Sequence, residues 1–318
     1  MRIKRQSSGV RFNIGVFLVC VLVTLVAVFS IIRPTFFSIK NMGNVLLQAS
    51  EIGIIAAALS FVLICGSMDL STGSMVAFSG AISGLAFKAG ESIWICILIS
   101  ILIGALAGAF NGLMIVRFQI MPIVVTIGTM TLFRGLVYAL TGGYPASGFP
   151  KVFTRLSRTR WLAIPIPAWI MLLFFVIGYY ILKKTRLGRY IYAMGNNYET
   201  ASLSGIPVRK IKFWIMVLSG AMCGLAAMFY ASRLGSLDAT IGDGLEGQIL
   251  AAVLLGGVSI NGGKGDIRNS LLGVLIIACL RSGLNFMQVS SLYQMLLIGI
   301  LLLISVAADN FKPDKDGK

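Results

Sequence analysis

The chain has 318 residues, 57% of them hydrophobic and only 12% charged, with a formal net charge of +16. A soluble domain carries about 25% charged residues and cannot bury this much apolar surface, so the composition predicts an all-α polytopic membrane protein. The excess Lys and Arg sits beside apolar runs and in loops, where it reads as membrane-surface charge and argues against nucleic acid as a partner.

The amino terminus, residues 1–13, is basic and polar, and an apolar run follows at 14–32. That run is longer than the ~7–15 residues of a signal core and no small-x-small site follows it, so it is expected to be an uncleaved first span. A crossing helix needs about 20 apolar residues. On that rule further spans are predicted near 44–65, 72–88, 93–116, 121–141, 163–182, 213–232, 246–260, 269–287 and 292–308. Ten is the reading and eight the alternative, because the third and eighth are short and glycine-bearing and are expected to be tilted, broken or re-entrant. The whole of 1–318 then forms one transmembrane domain, with a tail at 309–318.

Starting inside and alternating through ten spans puts seventeen of the 27 Lys and Arg residues on the inside, eight outside and two, Arg134 and Arg281, within spans. The bias predicts both termini in the cytoplasm. The outer stretch 141–162 departs from it locally. It is read either as a solvated loop or as a cationic surface on which Arg155, Arg158 and Arg160 receive an acidic extracytoplasmic protein, arginine forks being suited to carboxylates. The segment 183–212 carries seven Lys or Arg against one acid, Glu199, with the basic residues at its ends and a small polar centre. It is expected to face the cytoplasm, as a plain connector or as a docking surface.

The chemistry-bearing residues are few. There is no histidine, and the five cysteines are scattered singly inside apolar stretches, so neither a metal site nor a disulfide framework is predicted. The nearest approach to a phosphate loop, residues 261–266, has Gly265 after Lys264 where Ser or Thr would hold the metal, and Val258 where the pattern needs glycine. No catalytic residue and no cofactor of the chain's own are expected. Asp69, Ser71 and Thr72 interrupt an apolar region, with Asp69 read either as capping the helix that begins near Ser71 or as bordering a broken helix on a solute route. Thr126 and Thr129 share a helical face and, with Asn111, either contact a neutral polar solute or bond neighbouring helices. Arg134 is read as bracing the bundle through carbonyls, or as lining the path.

The stretches GSMDLSTGSMVAFSG, NGLMIVRFQIMPIVVTIGTMTLFRG, TRLGRYIYAMGNNYETASLSGIPVRKIK, ILAAVLLGGVSINGGKG and GLNFMQVSSLYQMLLIGILLLISVAAD together resemble the permease subunits of bacterial ABC monosaccharide importers, the ribose-type branch above all. The likeness runs from about Ser38 to Asp309. Met68 and Thr72 stand where that branch has Ile and Val, and 142–162 and 235–247 match loosely. The resemblance implies a permease of the bacterial cytoplasmic membrane that pairs with itself or a paralogue. It implies a separate ATPase chain holding ATP and Mg, and an extracytoplasmic sugar-binding protein. Carried onto 183–212, it implies that Gly195, Asn196, Asn197, Thr200, Ser204 and Gly205 contact the ATPase, with a short helix near 198–203. A permease for another small neutral solute is the alternative within the class. An ion-coupled secondary transporter is the alternative outside it, and would want more membrane carboxylates than Asp69.

Overall fold

The computed structural model describes residues 14–310, so the terminal segments expected in the cytoplasm lie largely outside the described residues. The helices in chain order are α1 (Ile14–Ile32), α2 (Ile39–Ile64), α3 (Thr72–Lys88), α4 (Ile93–Arg117), α5 (Pro122–Thr141), α6 (Lys151–Leu156), α7 (Ile166–Lys184), α8 (Arg186–Asn196), α9 (Tyr198–Leu203), α10 (Val208–Leu234), α11 (Leu245–Leu255), α12 (Ile267–Phe286) and α13 (Ser291–Asn310). Each of the ten predicted spans contains one. Among the described residues, seven helices (α1, α2, α4, α5, α7, α10 and α12) are long and apolar enough to cross a membrane.

The bundle is arranged around α2. From Ile52 to Ile64 this helix is apolar or small on every side, and a helix without a polar face is stable only when surrounded. Its most apolar stretch is 94% buried, against 11% for α1, which lies at the edge with Phe29 packed on Gly283 of α12. Helices α4 and α10 make the closest pair. Gly104 and Gly108 of α4 and Gly220 and Gly224 of α10 lie at four-residue spacing, and a methyl on any of them would collide with backbone of the other helix. Small residues permit this approach where lipid gives no hydrophobic drive between helices. Ser100 adds an interhelical bond, donating to the Gly224 carbonyl at 2.8 Å.

Two of the elements, α3 and α11, adjoin irregular backbone. Helix α11 has 11 residues, about 16 Å of helix against ~30 Å of hydrocarbon. It stops at Leu255, five residues before the predicted end, because Gly257 takes a φ of +80° that a continuing helix cannot use. Helix α3 begins only after the irregular stretch 65–71. The starts of the two helices meet, Gly73 lying against Gly242, whose φ of +81° and lack of Cβ allow the backbones to touch. The expected break is thus a pair of breaks, and each covers the other's exposed backbone.

The segment 183–212 holds a helix that the sequence reading left out. Thr185 caps α8 by accepting from the Gly188 N–H at 3.3 Å, and Gly188, Ile191 and Met194 form its buried side. Small antiparallel pairings, Ala146–Ser147 with Ser236–Leu237 and Arg160–Trp161 with Ile164–Pro165, tie down the loops at the opposite end of α2.

Candidate functional site

At the Ile64 end of α2, the chain turns from α8 into α9 at Asn197, whose side-chain oxygen accepts from the Thr200 N–H at 2.9 Å and caps the six-residue helix predicted at 198–203. Ser204 donates to the Thr200 carbonyl at 2.8 Å, and Gly205, with φ +80°, turns the chain toward α10. Asn196, Asn197, Thr200, Ser204 and Gly205 are all exposed, and Leu203 projects with 90% of its surface free. Gly195 is different. It packs against the Ile64 carbonyl and the Gly263 backbone, while Gly262 meets Gly66, the Gly263 N–H donates to the Ile64 carbonyl at 2.9 Å, and the Tyr192 hydroxyl donates to the Gly265 carbonyl at 2.8 Å. Five of the six residues singled out in the sequence therefore form one surface, and Gly195 fastens that surface to the bundle.

Outside the spans on this side, Asp266 caps α12 by accepting from the Arg268 N–H, pairs with the Arg268 guanidinium at 2.8 Å and lies 3.9 Å from Lys183 Nζ. Burial acts to raise its pKa, but the bonds and charge of Arg268 and the charge of Lys183 outweigh burial and hold the carboxyl below its usual range.

At the other end of α2, Arg155, Arg158 and Arg160 are all exposed. Arg158 donates to the Arg233 carbonyl at 3.4 Å, and Arg160 reaches the carbonyls of Ile39 and Lys40 at 3.3 and 3.1 Å with its guanidinium over Gly43. Arg160 thus also clamps its loop to the start of α2. A basic cleft of about 520 Å³ opens here, lined by Lys40, Asn44, Gln48, Arg158, Arg160 and Arg233 among others. Beside it lies a second cavity of about 380 Å³, mostly polar, between α2, α10, α11, α12 and the loop 238–244. Gln48 and Arg233 line both. In the second cavity Glu51, 1% exposed, receives a two-pronged bond from Arg233 at 2.5 and 2.8 Å, and Arg281 donates to Gln248 at 2.5 Å.

The residues proposed from sequence for the path lie elsewhere. Asp69, 2% exposed, accepts from the Ser71 N–H at 3.0 Å, the Ser71 hydroxyl at 2.6 Å and the Ser219 hydroxyl at 2.9 Å, while Asn111 donates to Ser71 at 2.8 Å. Asp69 therefore does not cap the free N–H groups of α3. It locks Ser71, the residue before the helix, to α4 and α10. Within this buried knot Ser67 Oγ, Thr72 Oγ1 and Asn111 Oδ1 have no partner. Thr126 and Thr129 bond carbonyls of their own helix, those of Pro122 and Thr126. Arg134 donates to the carbonyls of Ala239 and Ile241 at 2.8 and 3.0 Å and pairs with Asp243 at 2.6 Å, pinning the loop before α11. None of these residues lines either polar cavity.

The residues that do line them, Asn44, Gln48, Gln248 and Asn285, were not singled out in the sequence. One signal was present: polar residues at 44, 48 and 51 recur at helical spacing on an otherwise apolar helix. Among the described residues, no group of three His, Cys, Asp or Glu side chains is placed to hold a metal ion.

Residues 41–306 match the family described as branched-chain amino acid transport system / permease component. The chain is 40% identical to the ribose import permease protein of Haemophilus influenzae, over 97% of this chain and 98% of that one. It is 40% identical to the ribose import permease protein of Bacillus subtilis, over 96% and 95%, and 35% identical to the L-arabinose ABC transporter permease protein of Azospirillum brasilense, over 93% and 87%. No solved structure matches the chain.

Proposed function

The chain belongs to the branched-chain amino acid transport system / permease component family, and from that premise we propose that it is the membrane subunit of an ATP-driven importer that passes a monosaccharide, ribose or a close relative, into the cytoplasm. The observation that carries this reading is the 40% identity with a ribose import permease across nearly the whole of both chains. The likeness to an L-arabinose permease keeps a second pentose in view as cargo.

The chain has no phosphate loop of its own, so the ATPase, with its ATP and Mg, is a separate subunit. The exposed surface Asn196–Gly205 is the place where that subunit grips, with α9 rigidly capped and Leu203 offered as an apolar anchor. Both termini and this surface face the cytoplasm, in keeping with the Lys and Arg bias. A second copy or a paralogue completes the pore. On the opposite side the basic cleft lined by Arg158 and Arg160, with the exposed Arg155 on the same loop, faces an extracytoplasmic sugar-binding protein whose rim is acidic.

The test reconstitutes the chain with its ATPase and binding protein in lipid vesicles and measures D-ribose-dependent ATP turnover and D-ribose uptake. The expected result is uptake that needs all three components. Uptake driven by an ion gradient without the ATPase would overturn the reading. Reversing Arg155 and Arg158 to Glu is expected to weaken docking of the binding protein, most strongly at low salt.

A further inference from the structure

The two polar cavities share a wall, and one helix runs along both. Asn44, Gln48 and Glu51 of α2 stand four and three residues apart, which puts them on a single face of that helix. Asn44 lines the basic cleft, Glu51 the inner cavity, and Gln48 lines both. The polar side chains around Gln48 are largely engaged with one another: Glu51 with Arg233, Arg281 with Gln248. The Gln48 side chain has no hydrogen-bond partner among the described residues, so its amide presents donors and an acceptor to whatever fills the space.

The charge in the inner cavity is nearly balanced. Arg233 and Arg281 face Glu51, Asp238 and Asp243, and Asp243 is itself paired with Arg134 outside the lining. Such a site has little net field to attract a free ion, but it offers mixed donors and acceptors from amides, a phenol and paired charges. That is the chemistry of a neutral solute rich in hydroxyl groups. The volume of about 380 Å³ lies within the ~300–1,000 Å³ of small-molecule sites.

We propose that the basic cleft and the inner cavity form one route for a neutral polyhydroxylated solute, and that Gln48 is the residue that contacts it on both sides of the Glu51–Arg233 pair. The inference rests on the importer reading above and adds the place where this chain holds its cargo.

The experiment uses the complete complex in vesicles, with radiolabelled D-ribose as probe and D-allose and L-arabinose as competitors. Gln48→Leu keeps the side chain's bulk and removes its hydrogen bonding. D-Ribose uptake is expected to fall about tenfold, the scale of one lost hydrogen bond to a solute, with an altered order of competition by the other two sugars. Co-elution of Gln48→Leu with the ATPase checks that it has folded. Should it fail to assemble, Gln48→Cys on a Cys20→Ser background carries the test. A small charged thiol reagent added from outside is expected to block its uptake, and D-ribose to slow the reaction. Wild-type uptake and competition in Gln48→Leu, or a Gln48→Cys thiol that the reagent cannot reach or that D-ribose does not protect, would overturn the proposal. A wild-type complex that takes up none of the three sugars would instead overturn the importer reading on which it stands.

Discussion

Breaking the Glu51–Arg233 pair from its two ends should cost unequal amounts of stability. The carboxylate is 1% exposed, whereas 28% of the Arg233 side chain is free and borders both polar cavities. At an effective dielectric of about 20 and ~4 Å between charge centres, the attraction is roughly 4 kcal/mol, offset by the desolvation of both partners. Arg233→Met removes the attraction and leaves a buried carboxylate without its ion-paired partner, only the charge of Arg281, not bonded to it, remaining in the cavity, which typically costs ~3–5 kcal/mol. Glu51→Gln leaves a cation that can turn to cavity water, and the new amide still accepts a hydrogen bond, so the expected loss is only about 1–2 kcal/mol. The double variant should be more stable than Arg233→Met alone by at least ~1 kcal/mol, since the two sites touch and their effects are not additive. Unfolding of the purified protein in mixed micelles, followed by near-ultraviolet circular dichroism against added denaturing detergent, gives the ordering. If Glu51→Gln proves as costly as Arg233→Met, the assignment of the burden to the carboxylate is wrong.

Gly104→Val should push α4 from α10 where the two backbones touch, at a cost of about 1–3 kcal/mol, read as a lower midpoint in the same titration; an unchanged midpoint would deny the close approach. Asn197→Ala removes the cap of α9, worth ~1 kcal/mol locally; it should lower D-ribose uptake per ATP hydrolysed while the bundle unfolds at its usual midpoint. Asp266 has its carboxyl held below the usual range, so its contribution is present above the unfolded value near pH ~4 and is lost as the pH falls through the folded one. Wild type and Asp266→Asn should therefore differ at pH 7 and converge in acid, and a constant gap from pH 7 to acid would remove the linkage.

Most of the helices were legible because apolar length alone predicts them, whereas the short helix α9 was expected only from the family resemblance. The local signal failed where partners are distant in sequence. Asp69 looked like a cap because Ser71 and Thr72 follow it, yet its third bond comes from Ser219, 150 residues away. Arg134 stands in α5 as an isolated charge, and only the folded chain shows the carbonyls of residues 239 and 241 beneath it. The stripe 44–48–51 was written in helical spacing, but at the start of a span it reads as ordinary surface polarity. Its meaning depends on Arg233, Gln248 and Arg281 arriving from three other helices.

The glycine contacts among residues 66, 195, 262 and 263 have a mechanical side. Backbone lies on backbone there, the Asn196 side chain against Gly263 being the exception, so a push on α8 is delivered to the end of α2 with little lost motion. Helix α2 has 26 residues, about 39 Å of stiff rod. Gln48 sits sixteen residues, some 24 Å, from the end at Ile64, so a tilt of about 5° pivoting there carries Gln48 sideways by ~2 Å. The chain thus has the parts of a lever, with its handle beside the Asn196–Gly205 surface and its working end against the polar cavities.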